Sequence, residues 1–530
     1  TRWSGLRLPS AGRLTVVLVL LGVLARLVRY GLNFPLWGDE AFVAVNFLLR
    51  DFAGLFKPLV YGQIAPLGFM WTELAVTRAA GFSEATMRFV PMLSGLVSLL
   101  LFWRFMRRNF GAAITLVAVG ILAASYYPIR HAAEVKPYAT DLLISLILTM
   151  AGWAVYQRPK SMGRWVVLII LAPIFVWCSY PSVFVSGGVG LLLVSILLRD
   201  RSPRMWVGCV VYGVVLVASF LPMYAFFAKP HVEAAAGLTE IKMWTQTFPP
   251  VTKPWMLPVW AVVIHTGNMM AYPIGGAHGA SIVTLVLVIA GSVTLWRTRR
   301  ALLLLLLGPP ALNLIAAALH AYPYGGTART SLYMAPAICL LAGVGLVSLI
   351  AWKLPYERRR VAIPLVGVVL GLIAVVCMAR DVAEPFKKPE TRESRRVVRS
   401  LSERVGADDR VAVFLATEEV EHAPYIREAK GMGAQLAFYL MRYLMHQLPA
   451  DLDNFGPPVE AISEPSNGHV WLIVFQRTRK GKSIFEPALL ETYLGKMQAR
   501  FGTYEREAYS IKETKKDQQR IEVYRFGVAG

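Results

Sequence analysis

The chain has 530 residues, of which 56% are hydrophobic and only 17% charged, with a mean hydropathy of +0.50. A soluble domain carries about a quarter of its residues as Asp, Glu, Lys or Arg, so composition excludes an ordinary soluble enzyme. The formal charge of +22 would suit a nucleic-acid binder, but residues 1–379 hold 31 Lys and Arg against 11 Asp and Glu, while residues 380–530 hold 24 against 22. Basic residues set between apolar runs mark membrane topology, so membrane lipids, and no nucleic acid, are the expected surroundings.

Eleven apolar stretches approach the ~20 residues that a bilayer core requires. They are 14–30, 86–105, 112–127, 137–156, 165–179, 181–198, 205–228, 280–296, 301–319, 331–352 and 361–378. The first is long enough to stay as an anchor. A twelfth stretch, 64–80, carries Glu73 and Arg78. If it lies at the interface, the segments 1–13, 104–111, 157–164, 199–204, 297–300 and 353–360 share one side. Together they hold 19 of the 31 basic residues of the apolar part. Were 64–80 to cross, the first basic cluster would oppose all the others. The positive-inside rule therefore favours eleven spans, with the N-terminus cytoplasmic in a cell (inner) membrane. Loops 31–85, 128–136, 229–279 and 320–330, and everything after 380, then lie outside.

The tail changes character. Residues 380–404 are charged and helical in pattern, 411–416 and 470–476 read as short buried strands, 433–445 and 487–497 as helices, and 521–526 as a closing strand. The expected fold is a polytopic α-helical membrane protein over 1–379, followed by an extracytoplasmic α/β domain over 380–530.

Most acidic groups of the membrane part fall in the outer loops. In Asn33-Phe34-Pro35-Leu36-Trp37-Gly38-Asp39-Glu40-Ala41, two adjacent carboxylates precede an apolar helical run. They either cap that helix or act as a general base with its neighbour, since adjacent acids separate their titrations. The pair also leaves room for a divalent cation; no other cofactor is expected. The second loop, Arg130-His131-Ala132-Ala133-Glu134-Val135-Lys136-Pro137-Tyr138, is followed by Asp141. Its charged groups are interfacial anchors or a site at a helix mouth. Asp141, one turn inside a span, needs a partner such as Lys136 or Arg130. In His320-Ala321-Tyr322-Pro323-Tyr324-Gly325-Gly326-Thr327-Ala328-Arg329-Thr330, a Gly-Gly turn and a guanidinium suit a phosphate at the membrane surface. The four cysteines sit in apolar runs without CxxC spacing. The histidines of loop 229–279 match no metal motif, and no Walker or dinucleotide fingerprint is present.

In order, these pieces are one N-terminal span, Gly38-Asp39-Glu40-Ala41, an amphipathic segment with Ala65-Pro66-Leu67, a span ending RFMRRNFG, the EVKPY loop and the late YPYGGTAR segment. This series resembles the GT-C superfamily of membrane glycosyltransferases, in its protein O-mannosyltransferase and lipid A aminoarabinose transferase group (glycosyltransferase family 39 and bacterial kin). The resemblance covers roughly residues 14–378. It implies transfer of a sugar from a polyprenyl-phosphate donor, usually with inversion, to an extracytoplasmic glycolipid, polysaccharide or protein. It also implies Asp39 as the catalytic carboxylate with Glu40 beside it, and Glu134 and Lys136 as the charged group of the second loop; the chemistry of the residues themselves puts Arg329, Lys136 and Tyr324 at the donor phosphate. Glu134, Tyr138, Asp141 and Arg130 would support them. Lys136 stands where relatives more often have Arg, and Ala65-Pro66 replaces a frequent His-Pro-Pro. The competing reading is a transporter or lipid flippase, which would favour repeated halves and ionisable groups at the membrane midplane.

Overall fold

The computed structural model describes residues 9–197, 203–235, 246–384, 389–406, 408–415, 439, 459–462, 464–465, 468–479, 482–483, 487–513 and 517–527. Its membrane part runs α1 (Ala11–Gly31), α2 (Gly38–Leu49), α3 (Leu67–Ala80), α4 (Glu84–Met87), α5 (Phe89–Asn109) and α6 (Ala112–Ala124). It continues with α7 (Tyr126–His131), α8 (Tyr138–Gln157), α9 (Met162–Cys178), α10 (Ser182–Leu197), α11 (Pro203–Pro222) and α12 (Lys229–Ala234). The last five are α13 (Leu257–His265), α14 (Ile282–Thr298), α15 (Arg300–Ala318), α16 (Ala335–Lys353) and α17 (Tyr356–Ala383).

Each of the eleven apolar stretches is helical, as α1, α5, α6, α8 to α11 and α14 to α17. Among the described residues seven helical segments are long and apolar enough to cross a bilayer; α6, α9, α10 and α14 are shorter apolar helices. Close backbone approach locks parts of the bundle. A Cβ on Gly291 of α14 would stand 1.9 Å from the carbonyl oxygen of Leu341 in α16, and one on Gly345 of α16 equally close to that of Leu287 in α14. Only glycine fits at either position.

Loops assigned to the same side meet at the same end of the bundle. Arg299 donates to the carbonyl of Asn109 at 2.6 Å, and Trp153 and Gln157 donate to the Asn109 side chain at 2.8 and 3.0 Å. The loops carrying Asn33, Glu84, Lys136 and Arg329 gather at the other end. Arg199, Arg201 and the first eight residues lie outside the described residues.

The stretch 64–80 gives α3, which starts after Pro66 because proline suits a helix start. Its 14 residues rise only ~21 Å, too short for an upright crossing. Glu73 points inward, wholly buried, and neither carboxyl oxygen has a hydrogen-bond partner. Burial pushes its titration well above the usual carboxylate range. A raised native value means that the folded state holds its proton where the unfolded state has released it. The stabilisation is therefore complete below about pH 4.5 and declines as pH rises through the native value. Glu73→Gln should flatten the fall in melting temperature between pH 5 and pH 8. A mutant whose pH dependence equals the wild type's would show that the carboxyl is not buried and neutral.

The tail forms α18 (Pro389–Ser402), β1 (Arg410–Leu415), β2 (Val470–Arg479), β3 (Lys482–Ser483), α19 (Pro487–Phe501), β4 (Tyr504–Glu513) and β5 (Asp517–Phe526). The sheet order is β1-β2-β5-β4, with β1 and β2 parallel, the other pairs antiparallel, and β3 pairing the end of β2. Alternation divides it: Val470, Leu472, Val474, Tyr524 and Phe526 pack on α19, whereas Trp471, Ile473, Ile521 and Val523 face α18 and join the core built on the loop between α1 and α3. The three expected strands are present. β4 was not foreseen, because this edge strand alternates charged and polar groups (Tyr504, Glu505, Arg506, Glu507) and is exposed from Glu505 to Ala508. Residues 380–383 continue the last membrane helix, where Asp381 pairs with Arg29 of α1 at 2.7 Å. Of the expected helix 433–445, only Tyr439 is described.

Candidate functional site

The bend 33–37 between α1 and α2 holds no regular structure, and Asp39 and Glu40 occupy the first turn of α2. The helix N-terminus favours negative charge there, yet the two acids go to different partners. Glu40 is fully buried. Its Oε1 accepts from Arg88 Nε at 2.8 Å and from the Val135 amide at 2.9 Å, and its Oε2 accepts from Arg88 Nη2 at 2.6 Å and from the Trp37 amide at 3.2 Å. One carboxylate thereby ties together the first loop, the second loop and the start of α5.

Asp39 accepts a short hydrogen bond through Oδ2 from Arg329 Nη1, across 290 residues of sequence. Burial disfavours the charge on Arg329, but Tyr138, Asp39 and Glu134 outweigh it and raise the guanidinium above its ordinary value. The Gly-Gly turn serves this placement through shape. Gly325 and Gly326 have φ of 63° and 67°, and added Cβ atoms would collide with Ile264 and Thr247 at 2.4 and 2.5 Å. The Gly326 carbonyl accepts from Asn268 at 3.2 Å, so the turn is packed against the loop around Asn268.

The second loop brings Glu134 between Arg130 Nε at 2.6 Å and His131 Nδ1 at 2.7 Å. Burial alone would favour the neutral acid; Arg130 and His131 reverse that and hold Glu134 well below the usual carboxylate range. Burial lowers His131, the Glu134 carboxylate opposing it. Arg130 also stands 5.9 Å over the Trp37 ring, linking this cluster to the Asp39 bend.

The remaining expected residues are less convergent. Lys136 Nζ donates to Gln63 at 2.8 Å, toward the segment preceding α3. The Tyr324 hydroxyl meets His265 Nε2 at 3.0 Å, and burial pushes the phenol up to about 12. Tyr138 packs edge-on to His131 with ring centres 5.2 Å apart. Asp141 is buried near the start of α8 and pairs with neither expected cation, since Arg130 is on Glu134 and Lys136 on Gln63. Arg88, His131, Gln63, Glu84 and Tyr439 join the site without having been singled out. Arg88 had been placed at the edge of a span, and the others stand in no recognisable spacing. Asp39 and Glu40 each accept from a guanidinium, that of Arg329 and that of Arg88. Among the described residues no group of three His, Cys, Asp or Glu could hold a metal ion.

Residues 65–224 match the family model described as dolichyl-phosphate-mannose-protein mannosyltransferase. No curated protein sequence matches the chain. Among solved structures, ArnT from Cupriavidus metallidurans bound to undecaprenyl phosphate superposes with a TM-score of 0.57 at 14% identity, covering 97% of this chain and 98% of that one. The apo state of the same protein gives 0.55 at 16% identity, covering 96% and 98%. Superposition over nearly the full length of both chains gives this protein the fold of that ArnT structure, and the segment from α3 to α11 is the part that matches the mannosyltransferase family model.

Proposed function

We propose that the protein transfers a sugar from a polyprenyl-phosphate carrier to an extracytoplasmic glycolipid, polysaccharide or protein, with Asp39 as general base and Arg329 at the donor phosphate. The observation that supports this reading is the contact between Asp39 and Arg329, a carboxylate and a guanidinium side by side at one end of an apolar bundle. The likeness to a structure holding undecaprenyl phosphate supports the donor class.

In the proposed reaction, Asp39 takes the proton of an acceptor hydroxyl or amine as that atom bonds to the anomeric carbon from the face opposite the phosphate. The bond from anomeric carbon to phosphate oxygen breaks, its electron pair stays with the lipid phosphate, and the configuration inverts. Arg329 stabilises the charge gained by the leaving phosphate. Glu40, with both oxygens engaged by Arg88 and two amides, positions the loop and exchanges no proton. Glu134, fixed by Arg130 and His131, keeps the second loop in shape beside Trp37.

The direct test is binding of polyprenyl phosphate to purified protein in detergent, comparing wild type with Arg329→Gln. Saturable binding by wild type, weakened at least about 10-fold in the variant, is expected from losing a charge-assisted contact worth ~1.5–3 kcal/mol. Equal affinities would remove Arg329 from the donor site.

A further inference from the structure

Besides its apolar face, the outer domain reaches the site through two polar side chains. Tyr439, wholly buried, accepts from the Leu36 amide at 2.9 Å and donates to Glu84 Oε1 at 3.1 Å. Arg395 of α18 donates through one nitrogen to the same Glu84 oxygen and to the Asn33 carbonyl, both at 3.0 Å. Glu84, 1% exposed, opens α4; Arg88, just past its end, holds the Phe34 carbonyl at 2.5 Å and Glu40. In the bend before Asp39, the backbone of Asn33 and Leu36 is thus held from the outer domain, and that of Phe34 and Trp37 from the membrane domain.

We infer that the outer domain acts on the chemistry by fixing the backbone that carries Asp39, with Tyr439 and Arg395 as positioning residues. This rests on the reading of Asp39 as base. The bend has neither helix nor sheet to hold its shape, and Asn33 sits at φ 40°, in the left-handed region that asparagine tolerates. The Leu36 amide, buried against Tyr439, would lose its acceptor if the phenol oxygen were removed. Asp39 stands only three residues beyond Leu36, so a shift of the bend moves the carboxylate. Tyr439 and Arg395 act on Leu36, Asn33 and Glu84, and Arg329 acts on Asp39, so donor-phosphate affinity is set separately.

The test uses the full-length protein carrying Tyr439→Phe, which keeps the buried ring, and separately Arg395→Met. A displacement of ~1 Å in a reacting group costs up to 10²-fold, so kcat should fall about 10-fold or more while polyprenyl-phosphate affinity stays within about 2-fold. Hydrogen exchange of the peptide spanning 33–40 should quicken in both variants. Unchanged kcat, or kcat and phosphate affinity falling together, would overturn the inference; so would unchanged exchange. Exchange is read without turnover. A wild type that binds no polyprenyl phosphate and transfers no sugar would therefore defeat the functional reading, while the positioning by the outer domain is still judged on its own.

Discussion

Asp39→Asn is expected to slow sugar transfer by about 10²–10⁴-fold while tightening the grip on polyprenyl phosphate. The loss follows from removing a general base. The gain follows from the contact with Arg329: the guanidinium proposed for the phosphate also donates to the Asp39 carboxylate. Phosphate and carboxylate therefore compete for one cation, and an anionic lipid headgroup drawn to Arg329 releases the lone pair that takes the acceptor's proton. Donor binding and base activation become one event. An asparagine of the same shape gives up the charge, so the phosphate competes only with a neutral amide, and affinity should improve on the order of 10-fold, or ~1.4 kcal/mol. Turnover by the purified variants and binding of the sugar-free lipid phosphate are the two measurements. A variant that loses transfer but binds lipid phosphate more weakly would rule out competition and leave Asp39 as a part of the donor site.

The membrane helices were legible because a bilayer imposes length and apolarity on each span, and arginine clusters at alternate turns set their sides. The start of α2 was equally readable, since two acids after Pro35 and Gly38 suit a helix N-terminus. What the two acids do was not. Their partners, Arg329 and Arg88, lie 290 and 48 residues away, and only folding brings them back to adjacent residues in the first turn of α2. Arg88 read as a residue at the end of an apolar stretch, and nothing in the spacing of Lys136 announced its hydrogen bond to Gln63. Tyr439 gave no signal at all, for a lone tyrosine in an amphipathic pattern looks like any other core residue. Local physics is written in periodicity; long-range ion pairs between single residues are not.

Arg88→Met should be among the most destabilising single changes in the membrane domain. Arg88 is 1% exposed and holds both Glu40 oxygens and the Phe34 carbonyl, its guanidinium lying 4.0 Å over the Phe34 ring. Removing one partner of a buried ion pair costs about 3–5 kcal/mol, because the remaining charge has no water to turn to. Against a net stability of only ~5–15 kcal/mol for a typical domain, that is a large share. Arg88→Lys should recover little, since a single ammonium cannot serve two carboxylate oxygens and a carbonyl in a fixed fork. Glu40→Gln combined with Arg88→Met should be milder than Arg88→Met alone: the stranded charge is gone, and the glutamine oxygen can still accept from the Val135 or Trp37 amide. Thermal unfolding in detergent ranks the three variants. If the double variant melts below Arg88→Met, the cost comes from lost packing around Phe34 rather than from an uncompensated Glu40. If the order holds, Glu40 is a charge kept buried to join two loops.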